Sequence, residues 1–377
     1  MFGLYIHIPF CQTKCSYCDF NSRPAGQGEI GEYLGVLIEE LTLFSKGNRR
    51  IVETLYFGGG TPTLLSEREF TLLLEAVHDT MTLTEDAEIT VEANPGAIDY
   101  SKAGHLRSLG VNRISLGVQS LHDSLLSRLG RIHTSTEALD TLEMLRTVGF
   151  DNIATDLIYG IPGQTQKDWT GDLERLIQFG PEHLSLYGLS IEKGTAFHRE
   201  RKEGRLDLPS EEEQIRMYKT ALHKTKGMGY EHYEISNYAR PGYRSRHNTL
   251  YWTMEEYYGA GAGAHSFLRL DGPLRLSNVA DPAEYIKRMK GSKDPVARRE
   301  FIKKKTFLAE AMMLGLRRTE GVEIKTFRER YGADPLSHFS GMLNRGYDNH
   351  WIEIEKGRIR LTAEGLLFSN EVFMDLF

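Results

Sequence analysis

Cysteine is scarce in this chain: three among 377 residues, and all three lie close together as Cys11, Cys15 and Cys18. An odd number of thiols separated by tiny loops cannot build a disulfide framework, so a reducing compartment and a bound metal explain them better. Long apolar runs are missing too. No stretch approaches the ~18 residues that a membrane-spanning helix needs. The start, "MFGLYIHIPF", lacks the basic region and long apolar core of a secretory signal, and the expected location is the cytoplasm. Positive charge is not in excess, since the formal net charge is -6. That balance argues against a broad nucleic-acid-binding surface, and "KKK" at 303–305 is a short run that suits a solvated face. What remains, 40% hydrophobic and 26% charged residues without low-complexity tracts, is the composition of a soluble globular protein. Its length suits roughly two to three domains.

Over the first half, short apolar runs alternate with segments of helical period. Strands are expected at 3–8, 53–58, 88–93, 113–118, 152–160 and 183–188, and helices at 31–45, 66–78, 101–109, 135–148 and 167–178. Strand-then-helix alternation implies parallel strands joined by right-handed crossovers. Six units are too few for an eightfold barrel, so the expectation is an α/β fold: a partial (β/α)6 barrel over 1–205. Chemistry in barrels sits at the carboxyl ends of the strands. Residues 206–300 open with a charged helix (210–228) and continue as Gly-punctuated, aromatic-rich sequence, an α+β extension. From 301 to 377, three helical stretches precede "WIEIEKGRIRLT", a hairpin turning at Lys356-Gly357, which together suggest a winged-helix-like module.

The cysteines follow the first expected strand with the spacing Cys-x3-Cys-x2-Cys. Structural zinc normally takes four protein ligands. Three thiolates on one tight loop can instead hold three irons of a [4Fe–4S] cluster and leave the fourth open to a non-protein ligand. After the second strand comes "YFGGGTPTLL", whose glycines let backbone amides approach a ligand closely. Glu92 in "VEANP", Gln119 in "LGVQS" and Asp156 in "ATDLIYGIPGQT" then recur at strand ends. Polar groups in such apolar runs cost free energy unless they meet a partner. "GAGAGAHSF", which contains His265, lacks the strand-to-helix context of a dinucleotide site and reads as close backbone packing.

With that cysteine spacing the chain resembles the radical S-adenosylmethionine (SAM) superfamily. There the open iron chelates the amino and carboxylate groups of SAM. Across nearly the whole chain, "YIHIPFC", "GGGTP", "EANP", "SLGVQS", "LGRIH" and "DLIYGIPGQT" resemble the oxygen-independent coproporphyrinogen oxidase branch. The resemblance implies SAM contacts at Tyr5, Gly59, Gly60, Thr61, Glu92, Gln119, Arg131 and Asp156, with Tyr17 packing by the adenine. Two departures separate the chain from the oxidases. Phe20 stands where they carry a further cysteine, and their N-terminal extension is not seen ahead of the first strand. Both departures are shared with HemW-type haem chaperones, as is "HNTLYW" at 247–252, which makes His247 the implied haem ligand.

The expected function is a haem chaperone that holds a SAM-ligated [4Fe–4S] cluster and passes haem to an unidentified acceptor protein. The resemblance implies a radical SAM protein that lacks coproporphyrinogen oxidase activity, with no residue assigned to catalysis. The alternative is that oxidase itself, decarboxylating propionates, and SAM cleavage in either case requires an electron donor. A nucleic-acid-binding role through the C-terminal module is a third possibility, disfavoured by the charge.

Overall fold

In "RISLGVQ", residues 113–119, alternate side chains go to opposite faces. Ile114, Leu116 and Val118 are fully buried in the main apolar core, while Arg113, Ser115, Gly117 and Gln119 line an internal cavity. Period-two alternation of this kind requires an extended strand. It recurs around a barrel of six parallel strands: β1 (Phe2–Ile8), β2 (Ile51–Gly59), β3 (Thr82–Ala93), β4 (Arg113–Gln119), β5 (Ile153–Tyr159) and β6 (His183–Gly188). They lie side by side in chain order. The structure, a computed structural model, describes residues 1–46 and 49–377.

The crossover helices are specified locally. Ser66 with Glu69, Thr134 with Glu137 and Thr165 with Asp168 form reciprocal capping boxes that start the helices Glu67–Thr80, Ser135–Val148 and Gln166–Phe179. Their apolar stripes, for example Phe70, Leu73, Leu74 and Val77, cover the outward strand residues. At about 25 cal/mol per Å² this burial is the main stabilising term. A short helix that was not expected, Asp123–Leu129, follows β4.

Residues 206–300 continue the barrel's sheet. The strand Glu256–Ala260 pairs in parallel with β1, from Phe2↔Glu256 to Ile6↔Ala260. His265–Arg269, Pro273–Asn278 and Val296–Phe301 then add an antiparallel meander. At the far edge Asn237–Ala239 pairs antiparallel with β6, giving a twelve-stranded sheet. Buried Glu40 ties the meander to the barrel, accepting from Tyr258 Oη (2.9 Å), Gly261 N–H (2.8 Å) and Asn278 Nδ2 (2.7 Å). Burial raises its carboxyl pKa. The "GAGAGA" run is close packing: a Cβ at Gly259 would lie 2.1 Å from the His265 carbonyl oxygen.

The C-terminal module has its own core, including Leu308, Met312, Leu316, Phe327 and Ile359. Helices Lys304–Leu316, Ile324–Tyr331 and Ser340–Asp348 pack beside the hairpin Ile352–Glu355/Arg358–Leu361. Lys356 and Gly357 both take positive φ (51° and 76°), the backbone of a tight two-residue hairpin turn. The last of the three expected helical stretches is broken at Phe339, into Pro335–His338 and Ser340–Asp348. Among the described residues, no helix is long and apolar enough to cross a membrane.

Candidate functional site

A cavity of about 460 Å³ occupies the barrel interior. Barrel interiors are normally filled by layers of branched apolar side chains; here the inward positions are small or polar, which leaves room for a ligand. All three cysteines line the cavity's upper end, together with Phe20, Gly59 and Gly60.

The loops after β1 and β2 are zipped together. Gly60 N–H donates to the Ile8 carbonyl (2.8 Å) and Thr61 N–H to that of Phe10 (2.7 Å). A Cβ on Gly60 would sit 2.4 Å from the Phe10 carbonyl oxygen, so only glycine permits the approach. Gly59 has φ 112°, a conformation that side chains rarely adopt. On its other side the cysteine loop is held by Ser16, whose N–H donates to the Leu129 carbonyl at 2.9 Å. Lys14 Nζ pins the loop's end on the Phe20 and Ser22 carbonyls, both at 2.9 Å. Phe20 itself is 61% exposed at the mouth.

One polar chain links two of the thiols. Thr61 Oγ1 donates to Cys11 Sγ (3.6 Å) and accepts from Asn94 Nδ2 (2.9 Å). Asn94 Oδ1 accepts from Arg131 Nη2, and Arg131 Nη1 donates to Cys15 Sγ at 3.6 Å. Asn94, inside the "EANP" motif, was not singled out in the sequence, although it joins Thr61 to Arg131. At Cys18, burial raises the thiol pKa despite the backbone hydrogen bond from Phe20.

Lower in the cavity, Glu92 accepts from Tyr56 Oη (2.8 Å) and Gly59 N–H (3.1 Å). Its pKa is raised to about 7, chiefly by burial, with the Asp156 carboxyl adding to the shift. Asp156 is raised to about 6 by burial, opposed by Ser185, Arg113 and Arg131. Both carboxyls face the cavity and are half-buried. Gln119 closes β4 at a bulge with φ 70°, a cost of about 1–3 kcal/mol that functional sites often carry. Tyr17 lines the same space and packs on the cluster formed by Leu129, Ile158 and Phe197.

Two expected contacts lie elsewhere. Tyr5 sits outside the lining: its hydroxyl donates to His7 Nδ1 (3.0 Å), because His7 Nε2–H is spent on the Asn21 carbonyl (2.8 Å). His247 is 1% exposed and does not line the cavity. Its Nδ1 bonds Thr54 Oγ1 and its Nε2 bonds Tyr251 Oη, each at 2.8 Å. Burial, with Arg113 nearby, lowers its pKa to about 3, so the ring is neutral. The helix Arg246–Trp252 that carries it plugs the barrel floor. Both carboxylate oxygens of Glu88 accept from the first two amides of that helix, at 3.0 Å. From the "HNTLYW" motif, Asn248 reaches the cavity. Arg113, Ser115, His183 and Ser185 also line it and were missed; their signal was strict alternation with apolar neighbours.

The donor set suits an iron–sulfur cluster. Three partly exposed thiols face one space, yet among the described residues no three His, Cys, Asp or Glu side chains converge as the ligands of one ion would. Thiolates spread along a loop suit a centre with several irons, each taking one sulfur.

Comparison with known proteins agrees with this architecture. The radical SAM superfamily profile matches residues 5–176, and the HemN C-terminal domain profile matches 302–368. "Heme chaperone HemW" of Bacillus subtilis is 37% identical over 99% of this chain and 98% of its own length. The Escherichia coli protein of the same name is 40% identical over 75% of each chain. In fold, the chain is similar to the coproporphyrinogen III oxidase HemN of Escherichia coli, with TM-score 0.86 at 22% identity, over 100% of this chain and 89% of that one. The chain belongs to the HemW family, within the radical SAM superfamily.

Proposed function

We propose that this chain is a haem chaperone, binding haem beside a SAM-ligated [4Fe–4S] cluster and releasing it to an acceptor protein. The observation that carries this reading is the 37% identity to a named haem chaperone along 99% of the chain.

Cys11, Cys15 and Cys18 would hold the cluster, which when bound supplies an open iron for the amino-acid end of SAM and an electron for its sulfonium. The chain's own residues prepare the space. Gly59 and Gly60 bring backbone close to the ligand, and Thr61, Asn94 and Arg131 orient the thiolates. Glu92, Gln119 and Asp156 would take SAM's ammonium and hydroxyl groups, and Tyr17 would pack on its adenine. Ligation of haem by His247 requires Tyr251 to release Nε2, because both ring nitrogens are engaged in this conformation.

Anaerobic reconstitution followed by haemin titration tests the proposal. A saturable Soret band, without conversion of coproporphyrinogen III, is the expected result. Turnover of the porphyrinogen would restore the oxidase alternative.

A further inference from the structure

The cavity floor holds polar groups that the cysteine loop does not engage and that Glu92 and Asp156 influence through their charge without a direct ion pair. Arg113 and His183 are the first residues of β4 and β6, 2% and 1% exposed. Gln119 ends β4 six residues later, so at about 3.3 Å per residue the floor lies about 20 Å below the upper rim. Among the described residues, the Arg113 guanidinium forms no ion pair, and its Nε is buried without a hydrogen-bond partner. His183 is in a similar state. Tyr233 Oη accepts from Ser245 N–H (3.3 Å) and shares a further hydrogen bond with His183 Nε2 (2.7 Å). The other ring nitrogen, Nδ1, is buried and unpartnered. Asn248 and Ser115 line the cavity with them.

Burying a charge without a partner costs several kcal/mol, and an unmet ring nitrogen adds to that. An anion arriving from the cavity would offset both. A guanidinium presents parallel N–H groups that match a planar carboxylate, and the imidazole supplies another donor in the tautomer that carries its proton on Nδ1. One unpaired cation balances one negative charge, which favours a carboxylate over a phosphate dianion.

We propose that Arg113 and His183 form a carboxylate receptor at the cavity floor, serving the ligand that fills the barrel. The haem reading above supplies one source, a propionate of the porphyrin. SAM's own carboxylate is the other, and because that group is expected at the cysteine end, the propionate is the source we favour.

The test uses the full-length protein and three probes: haem, haem dimethyl ester, whose propionates carry no charge, and SAM on cluster-reconstituted protein. The wild type should prefer haem over the diester by about tenfold. Arg113→Gln should erase that preference by weakening haem alone. If Arg113→Gln instead weakens SAM about tenfold and leaves the haem-to-diester ratio intact, the receptor stands with SAM as its source. Unchanged binding of all three probes overturns it. Should the wild type bind neither porphyrin, the chaperone reading fails, while the SAM titration still decides the receptor. If Arg113→Gln does not fold, as judged by circular dichroism, Arg113→Lys and His183→Asn decide: a lowered ratio or weakened SAM binding in either supports the receptor, and wild-type values in both overturn it.

Discussion

The two ends of the barrel use polar residues in opposite ways. At the upper end they come from contiguous loops and face open space: the cysteine run, the triple glycine and Thr61 are near neighbours in sequence or bridged by one hydrogen-bonded chain. At the floor they come from isolated positions on separate strands, and many are spent on each other, as in Thr54–His247–Tyr251 and in Glu88 capping the plug helix. A polar side chain inside a barrel is therefore not evidence of ligand binding in itself. What distinguishes the two ends is whether its hydrogen-bonding capacity is already used.

The largest expected effect lies at the upper end. Cys11→Ser, Cys15→Ser or Cys18→Ser should each remove the brown chromophore and most of the iron, since hydroxyls are poor ligands for these centres. Phe20→Ala should leave iron content nearly unchanged. A full four-iron complement in any one serine variant would break the assignment of the upper end.

His247→Ala should act as a structural lesion. It leaves two buried hydroxyls without partners, a loss of about 2–4 kcal/mol in denaturant unfolding, with the cluster retained. Tyr251→Phe sharpens the point: it costs about 1 kcal/mol and frees Nε2. Tighter haem binding in that variant would establish His247 as a ligand that the resting conformation masks.

Next come the carboxyls. Glu92→Ala and Asp156→Ala should each weaken SAM binding by about 1.5–3 kcal/mol in calorimetry, without loss of cluster. Unchanged affinity in both would move the SAM site elsewhere in the cavity.

The smallest effect is a pH dependence. Burial raises Glu92 from 4.5 to about 7 and Asp156 from 3.8 to about 6. The folded state thus holds protons that the unfolded chain has released. This contribution to stability is fully present below the unfolded values and is lost as pH rises through about 6 to 7. Glu92→Gln should flatten that decline in the ligand-free protein by about 1–3 kcal/mol, the lower end applying where cavity water screens the charge. An equal slope in wild type and variant would show that the carboxyl is fully hydrated.

The upper end was legible because its chemistry is local. Cys-x3-Cys-x2-Cys, the glycine turn and the strand–helix alternation are each visible in a window of some twenty residues or fewer. Glu92, Gln119 and Asp156 stood out as polar interruptions of apolar runs, and all three line the cavity. The floor was less legible for two physical reasons. Arg113 and His183 begin their strands, where polar residues look like loop ends, and only the alternation through Ser115 and Ser185 reveals the inward face. The pairing of Phe2 with Glu256 joins distant segments, and neither carries a register signal of its own. His247 shows the same limit: a motif can mark a residue as important without saying whether its ring nitrogens are free.

The parallel pairing of β1 with Glu256–Ala260 also sets an order for biosynthesis. One edge of β1 is covered early by β2, but the other waits for residues near 260 to leave the ribosome. At about 5–20 residues per second, the roughly 200 intervening residues keep that edge open for about 10–40 s. During that interval the floor plug is absent and the nascent barrel can be entered from both ends. An exposed edge is also a template for wrong pairing. Ribosome-stalled chains ending near residue 245 should therefore be cleaved by protease within β1, and chains long enough to expose residue 270 should be protected there.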